Sequence, residues 1–236
     1  MNTFIIQEPP APHEVARRRF ERRRPLFRAG WKDVLMIHYA VDPEILRPLV
    51  KAPLDLYEGR AYVSLVVFTL DRLRFDAAGP AFSTHRFLNV RAYTRDNGIE
   101  FLAEWLTNPL CVLLGPRMYG LPYRWGRIRY ATGHARGRVA AREGALDYRA
   151  KAVGPLETCA PGTLDHFLME RYTAFTERRL FHVWHAPWKR AEAVVDVRDD
   201  ALIHATGPWF AAAERAGAHW SPGIEDVWMG RPEAAP

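Results

Sequence analysis

Apolar and polar residues fall in short blocks along most of this chain, and the prevailing spacing is that of strands. Residues 61–70, Ala-Tyr-Val-Ser-Leu-Val-Val-Phe-Thr-Leu, are rich in β-branched and aromatic side chains and predict a long strand. Residues 32–41 predict another. Residues 86–94 and 99–107 flank Arg95-Asp-Asn-Gly98, and Asn-Gly is a strong hairpin signal, so these two are expected to pair antiparallel. Residues 127–132, 134–141 and 145–153 read as a meander, with turns at Gly133 and Glu143-Gly144. Later strands are expected over 180–184 and 193–197. Helices are fewer. One is predicted over 13–24, ending before Pro25, and a short one is capped by Asp42 with Pro43 in its first turn. A helix or long turn spans 109–119. Another opens at Gly162, with Thr163 or Asp165 as its cap, and runs through Phe167, Leu168 and Tyr172. The last covers 208–216 and stops at Gly217. Pro9, Pro10 and Pro12 predict a loose arm over 1–12. Many strands and few helices imply an α+β, β-rich fold: a closed antiparallel barrel or cone with peripheral helices.

Composition narrows this. A chain of 236 residues with 48% hydrophobic content can bury one sizeable core. Residues 26–236 are therefore read as a single domain behind a basic arm or helix over 1–25. The net charge of +6 is uneven, because seven arginines lie between Arg17 and Arg28 against only Glu14 and Glu21 nearby. Such a run is either a nucleic-acid arm or a solvated helix whose arginines pair with acids of the same fold. The second is preferred, since no other basic cluster or recognition motif accompanies it. Cys111 and Cys159 are far apart in sequence and outside metal-ligand spacing, which fits a reduced pair. No run reaches the length of a membrane span, and the first residues lack a signal-peptide pattern. A soluble cytoplasmic protein is expected.

Candidate chemistry sits on the hairpin. Phe87, Asn89, Arg91 and Tyr93 share one face of their strand, with Leu88, Val90 and Ala92 on the other. The apolar set should contact the core, which leaves a polar row facing either a lumen or solvent. Across the turn, Glu104 is expected to face Arg91 as a charged pair. His38, His182 and His185 are titratable, but a lone histidine near aromatics is more often a hydrogen-bonded core residue than a functional one. Glu170 and Arg171 adjoin in sequence and point apart, and one of them is expected to anchor its helix. No metal-ligand spacing, nucleophile elbow, phosphate loop or dinucleotide fingerprint occurs, so no cofactor is implied.

The segment Gly115-Pro-Arg-Met-Tyr-Gly-Leu-Pro-Tyr-Arg-Trp-Gly126 resembles the active-site segment of acetoacetate decarboxylases, where a Gly-Arg-Glu run leads into Pro-Lys-Lys. In those enzymes the first lysine forms a Schiff base and the second lowers its pKa. Here the tripeptide is Pro122-Tyr123-Arg124, and neither side chain supplies the amine. The position of those enzymes' catalytic glutamate falls on Asn89. Asn89-Val-Arg-Ala-Tyr93, Leu121-Pro-Tyr123, Phe167 to Tyr172 and His185-Ala-Pro-Trp188 are similar to the motifs of the YqjF-like proteins, domain-of-unknown-function family 2071. That resemblance covers about residues 31–232 and implies the acetoacetate decarboxylase-like barrel without its Schiff-base chemistry. It also places Tyr123 and Arg124 at the site of chemistry, where a phenol and a guanidinium suit a small polar acid. Asn89, Arg91, Glu104, Tyr123 and Arg124 are therefore the ligand-binding candidates, for a small organic acid or keto compound. The alternative is a non-catalytic binding or scaffold protein on the same fold, with nucleic-acid binding well behind. A homo-oligomer is left open.

Overall fold

The computed structural model describes residues 10–76 and 79–235. Its first elements are α1 (Pro12–Arg22), β1 (Phe27–Val41), α2 (Pro43–Leu46), β2 (Ala61–Phe75), β3 (Ser83–Thr94), β4 (Gly98–Leu106) and α3 (Pro109–Tyr119). Then come β5 (Tyr123–Trp125), β6 (Arg127–Tyr130), β7 (Gly137–Ala141), β8 (Gly144–Thr158) and α4 (Leu164–Met169). The chain closes with β9 (Thr173–Phe175), β10 (Arg179–Trp184), β11 (Lys189–Asp199), α5 (Ala201–His204), β12 (Glu214–Met229) and β13 (Glu233–Ala234). The fold is mixed α+β and strand-rich. Among the described residues, no helix is long and apolar enough to cross a membrane.

One sheet runs in the order β13-β10-β9-β4-β3-β2-β1-β12-β11-β8-β7-β6, and β10 also pairs with β12. The pairings from β12 through β1 to β10 thus return on themselves, while β11, β8, β7 and β6 continue outward. This arrangement buries both faces of β1 to β4. Leu35, Ile37, Leu65, Val67, Leu88 and Val90 point outward into a core shared with Leu146, Tyr148 and Trp209 of the outer layer. Val34, Met36, Val66, Phe68 and Phe87 point inward. Strands buried on both sides read as nearly continuous apolar runs, which is why residues 61–70 show little alternation.

Several expectations are refined. The helix read over 208–216 is only a short turn, Pro208–Ala212, and the 16-residue strand β12 follows it. That strand is central, pairing with β1, β11 and β10. Gly217, Pro222 and Gly223 disguise it as loop. Gly223 is a close approach: a Cβ there would sit 1.9 Å from the Trp31 carbonyl oxygen, next to an irregular step in the β1–β12 register between Ala29 and Trp31. The helix opened by Thr163 ends at Met169, so Tyr172 lies beyond it. In the β3–β4 turn the left-handed residues are Asp96 (φ 61°) and Asn97 (φ 50°), one place earlier than an Asn-Gly turn has them. The arm expected over 1–12 falls, for residues 1–9, outside the described residues. The basic segment is helical as expected and is held by few apolar contacts, chiefly buried Ala16 and Phe20, the latter edge-on to Trp228.

Candidate functional site

Inward-facing residues of β3, β4 and β5 meet at an interior cavity of about 110 Å3, and none of the residues lining it is exposed. Asn89, Arg91, Glu104 and Tyr123 line it together. Tyr123 reaches it because β5 runs parallel to β4 and sets Tyr123 opposite Glu104. α3, capped by Asn108 accepting from the Leu110 amide at 2.9 Å, crosses directly over that ring. A Cβ on Gly115 would lie 2.3 Å from the Tyr123 ring, so only glycine lets the helix pass. Arg124 is not part of the cavity. As the next residue on β5 it turns outward, pairs with Glu143 at 3.3 Å and lies over the Trp105 ring. Strand alternation separates it from Tyr123.

The expected Arg91–Glu104 pair does not form. The β3–β4 register sets Asn89 opposite Glu104, and a bulge between Val90 and Arg91, which inserts an extra residue on β4, sets Arg91 opposite Phe101. Arg91 is 8% exposed and donates to the Leu168 carbonyl at 3.2 Å, with the Met36 sulfur at 3.6 Å. Among the described residues no carboxylate lies within 4.0 Å of it. Its Nε, the Asn89 Oδ1 and the Glu104 Oε2 are all buried without a hydrogen-bond partner. Burial holds the Glu104 carboxyl well above the usual carboxylate range. The same burial, with Glu104 beside it, raises the Tyr123 phenol well above its ordinary value. Burial thus favours the protonated, hydrogen-bond-donating form of both groups, and Arg91 is a buried cation with no carboxylate beside it among the described residues.

Other lining groups escaped the sequence reading. Arg171 is buried but matched, donating to Asp55 at 2.7 Å. Its neighbour Glu170 accepts from the Trp188 amide at 2.9 Å and from the Tyr172 hydroxyl, so both residues anchor their segment. His185 lines the cavity with its two ring nitrogens 2.9 and 3.2 Å from the carbonyl oxygens of Ala186 and Arg171. Burial lowers its pKa despite those contacts. Trp188 stacks on Trp31 at 5.6 Å to complete the apolar wall. The His185-Ala-Pro-Trp188 motif was the available signal, but nothing in its spacing shows that it folds against β3.

Behind Arg91 runs a buried polar chain. Tyr93 and Ser64 hydroxyls lie 2.6 Å apart, Ser64 is 2.6 Å from His38 Nδ1, and His38 Nε2 is 2.9 Å from His219. His219 then meets Asp165 at 3.3 Å. Burial, then His219 and Arg91, hold His38 well below its ordinary pKa. A surface cleft that shares Phe101 and Leu121 with the cavity carries four cations, Lys51, Arg117, Arg178 and Arg179, against two carboxylates, Glu100 and Glu177.

Residues 28–225 match the family described as an uncharacterized conserved protein, domain-of-unknown-function family 2071. The chain belongs to that family. It is 30% identical to the uncharacterized protein YqjF of Bacillus subtilis (strain 168) over 197 residues, 76% of this chain and 81% of that one. Among solved structures it is similar to acetoacetate decarboxylase from Legionella pneumophila, with TM-score 0.60, 11% identity, and 90% of this chain and 87% of that one covered. An acetoacetate decarboxylase-like enzyme from Sphingomonas wittichii RW1 gives TM-score 0.60 at 17% identity, covering 90% and 93%. The enduracididine biosynthesis enzyme MppR complexed with pyruvate gives 0.55 at 14%, covering 97% and 91%. These likenesses are of fold. None of the four lysines of this chain, Lys32, Lys51, Lys151 and Lys189, lines the cavity.

Proposed function

We propose that this protein binds a small organic acid inside a barrel formed by the returning strands, with Arg91 holding the carboxylate. The observation that carries the reading is Arg91 itself: a buried guanidinium that lines the cavity, with no carboxylate near it among the described residues and its Nε without a hydrogen-bond partner. Burying an unpaired charge is costly unless something supplies the counter-charge, and a bound carboxylate does so with bidentate geometry. At about 110 Å3 the space is well below the roughly 300–1,000 Å3 of drug-sized sites, so an acid of a few carbons fits. The cations of the adjoining cleft favour approach of an anion. A structural neighbour, MppR, is complexed with pyruvate, a ligand of this size and charge. Without a lysine in the cavity, the acid is held by charge and hydrogen bonds rather than through a Schiff base.

A thermal-shift panel tests the reading, because a specific ligand raises the melting temperature by mass action. Pyruvate, lactate, acetoacetate, 3-hydroxybutyrate and butyrate are compared with their uncharged amides. Acids that stabilise the parent and not Arg91→Met, with inert amides, support it. Equal responses from acids and amides, or from parent and variant, overturn it.

A further inference from the structure

Two residues along β3 from Arg91 and on the same face, Asn89 stands directly across from Glu104 of β4, and both are buried. Neither makes a side-chain hydrogen bond to the protein among the described residues, although each lines the cavity. Asn89 presents a donor and an acceptor. Glu104, among Phe87, Tyr123 and other cavity-lining side chains, presents its unpartnered Oε2 as an acceptor, and a donor as well in the protonated form that burial favours.

We infer that the acid this cavity selects carries a hydroxyl group, seated between Asn89 and Glu104, so that the preferred ligands are hydroxy acids and not the corresponding keto acids. This rests on the carboxylate reading above and names the ligand class of the same site. The argument is one of satisfaction. A keto oxygen only accepts, so it answers a donor from Asn89 or Glu104 and leaves the acceptor of the pair buried and orphaned. A hydroxyl accepts from one and donates to the other, whichever way round the amide sits. Leaving a buried acceptor unpaired is penalised more than the bond itself is worth. Sites built to bond a hydroxyl therefore reject analogues lacking it far more strongly than apolar pockets reject a methylene. The absence of a lysine from the cavity agrees, because a carbonyl is needed where an amine must attack it, and here no amine faces the ligand.

The test is calorimetric titration of the full chain with two matched sets: lactate, pyruvate and propionate, then 3-hydroxybutyrate, acetoacetate and butyrate. In at least one set the hydroxy acid should bind ten-fold or more tightly than both its keto and its unsubstituted partner. Asn89→Leu should reduce that preference to within about two-fold while leaving propionate or butyrate binding in place. If the keto acid binds as tightly as the hydroxy acid, or the preference survives Asn89→Leu, the inference is wrong and the carboxylate reading stands. If none of the six acids binds, both fall.

Discussion

Leu88, Val90 and Ala92 leave β3 on one side, and Asn89, Arg91 and Tyr93 leave it on the other. The first three enter the core under the outer layer, where Leu35, Leu65 and Trp105 are likewise fully buried. The other three enter the space inside the returning strands, and two of them carry polar atoms with no protein partner. Both faces are buried, so burial alone does not distinguish them. What differs is satisfaction. The outer face lacks partners only for the Trp105 Nε1 and, at the end of β3, the Thr94 Oγ1 among the described residues, whereas Asn89, Arg91 and Glu104 leave unpartnered atoms together around one cavity. The strand's two-residue period lets one segment serve as a stabilising wall and as a binding surface, with the two roles assigned to alternate residues.

The comparison breaks most visibly on the outer face. Leu88→Ala should lower unfolding free energy by about 2–5 kcal/mol, read by urea denaturation, because it leaves a cavity among packed neighbours. A loss below about 1 kcal/mol would show that this wall is loosely packed. On the inner face Arg91→Met should behave oppositely. Removing an uncompensated buried charge in favour of an apolar side chain should leave the ligand-free protein unchanged, or more stable by about 1–4 kcal/mol, while abolishing the response to acids. If Arg91→Met instead costs several kcal/mol, the charge is already matched within the fold.

Glu104→Gln sharpens the contrast through pH. Burial raises the carboxyl in the folded state above its value of 4.5 when unfolded, so the folded chain keeps a proton that the unfolded chain releases. Folded stability therefore drains away as pH rises above that unfolded value, toward the folded pKa. Glutamine has no such dependence. The advantage of Glu104→Gln over the parent should widen from about pH 5 to about pH 8 in paired melting curves. A constant gap would mean that Glu104 is ionised and compensated. The smallest expected effect is none at all. Borohydride added with acetoacetate should leave no adduct by mass spectrometry, since Lys32, Lys51, Lys151 and Lys189 all lie outside the cavity. A modified lysine would reverse this.

Much of this was legible in the chain. Alternation over residues 87–93 separates wall from lumen correctly, and the motif at Leu121-Pro-Tyr123 points to the strand that carries Tyr123 inward. The misassigned features are those that depend on non-local geometry. The β3–β4 register sets Glu104 opposite Asn89 rather than Arg91, and no local signal marks the bulge after Val90 that sets Arg91 opposite Phe101. Arg124 was grouped with Tyr123 by sequence position although adjacent residues on a strand face apart. Strand β12 was hidden by Gly223, whose lack of a side chain serves contact with β1 and not a turn. His185 and Arg171 reach the cavity from segments far from β3 in sequence, and only the tertiary fold brings them there.

The central claim is that Arg91 awaits a carboxylate, and a crystal structure of the chain grown or soaked with 3-hydroxybutyrate tests it most directly. The account predicts density inside the cavity, with a carboxylate oxygen within hydrogen-bond distance of Arg91 Nε and the remainder directed toward Asn89 and Glu104. An empty or water-filled cavity, with the acid seated only among Arg117, Arg178 and Arg179 of the outer cleft, would contradict it.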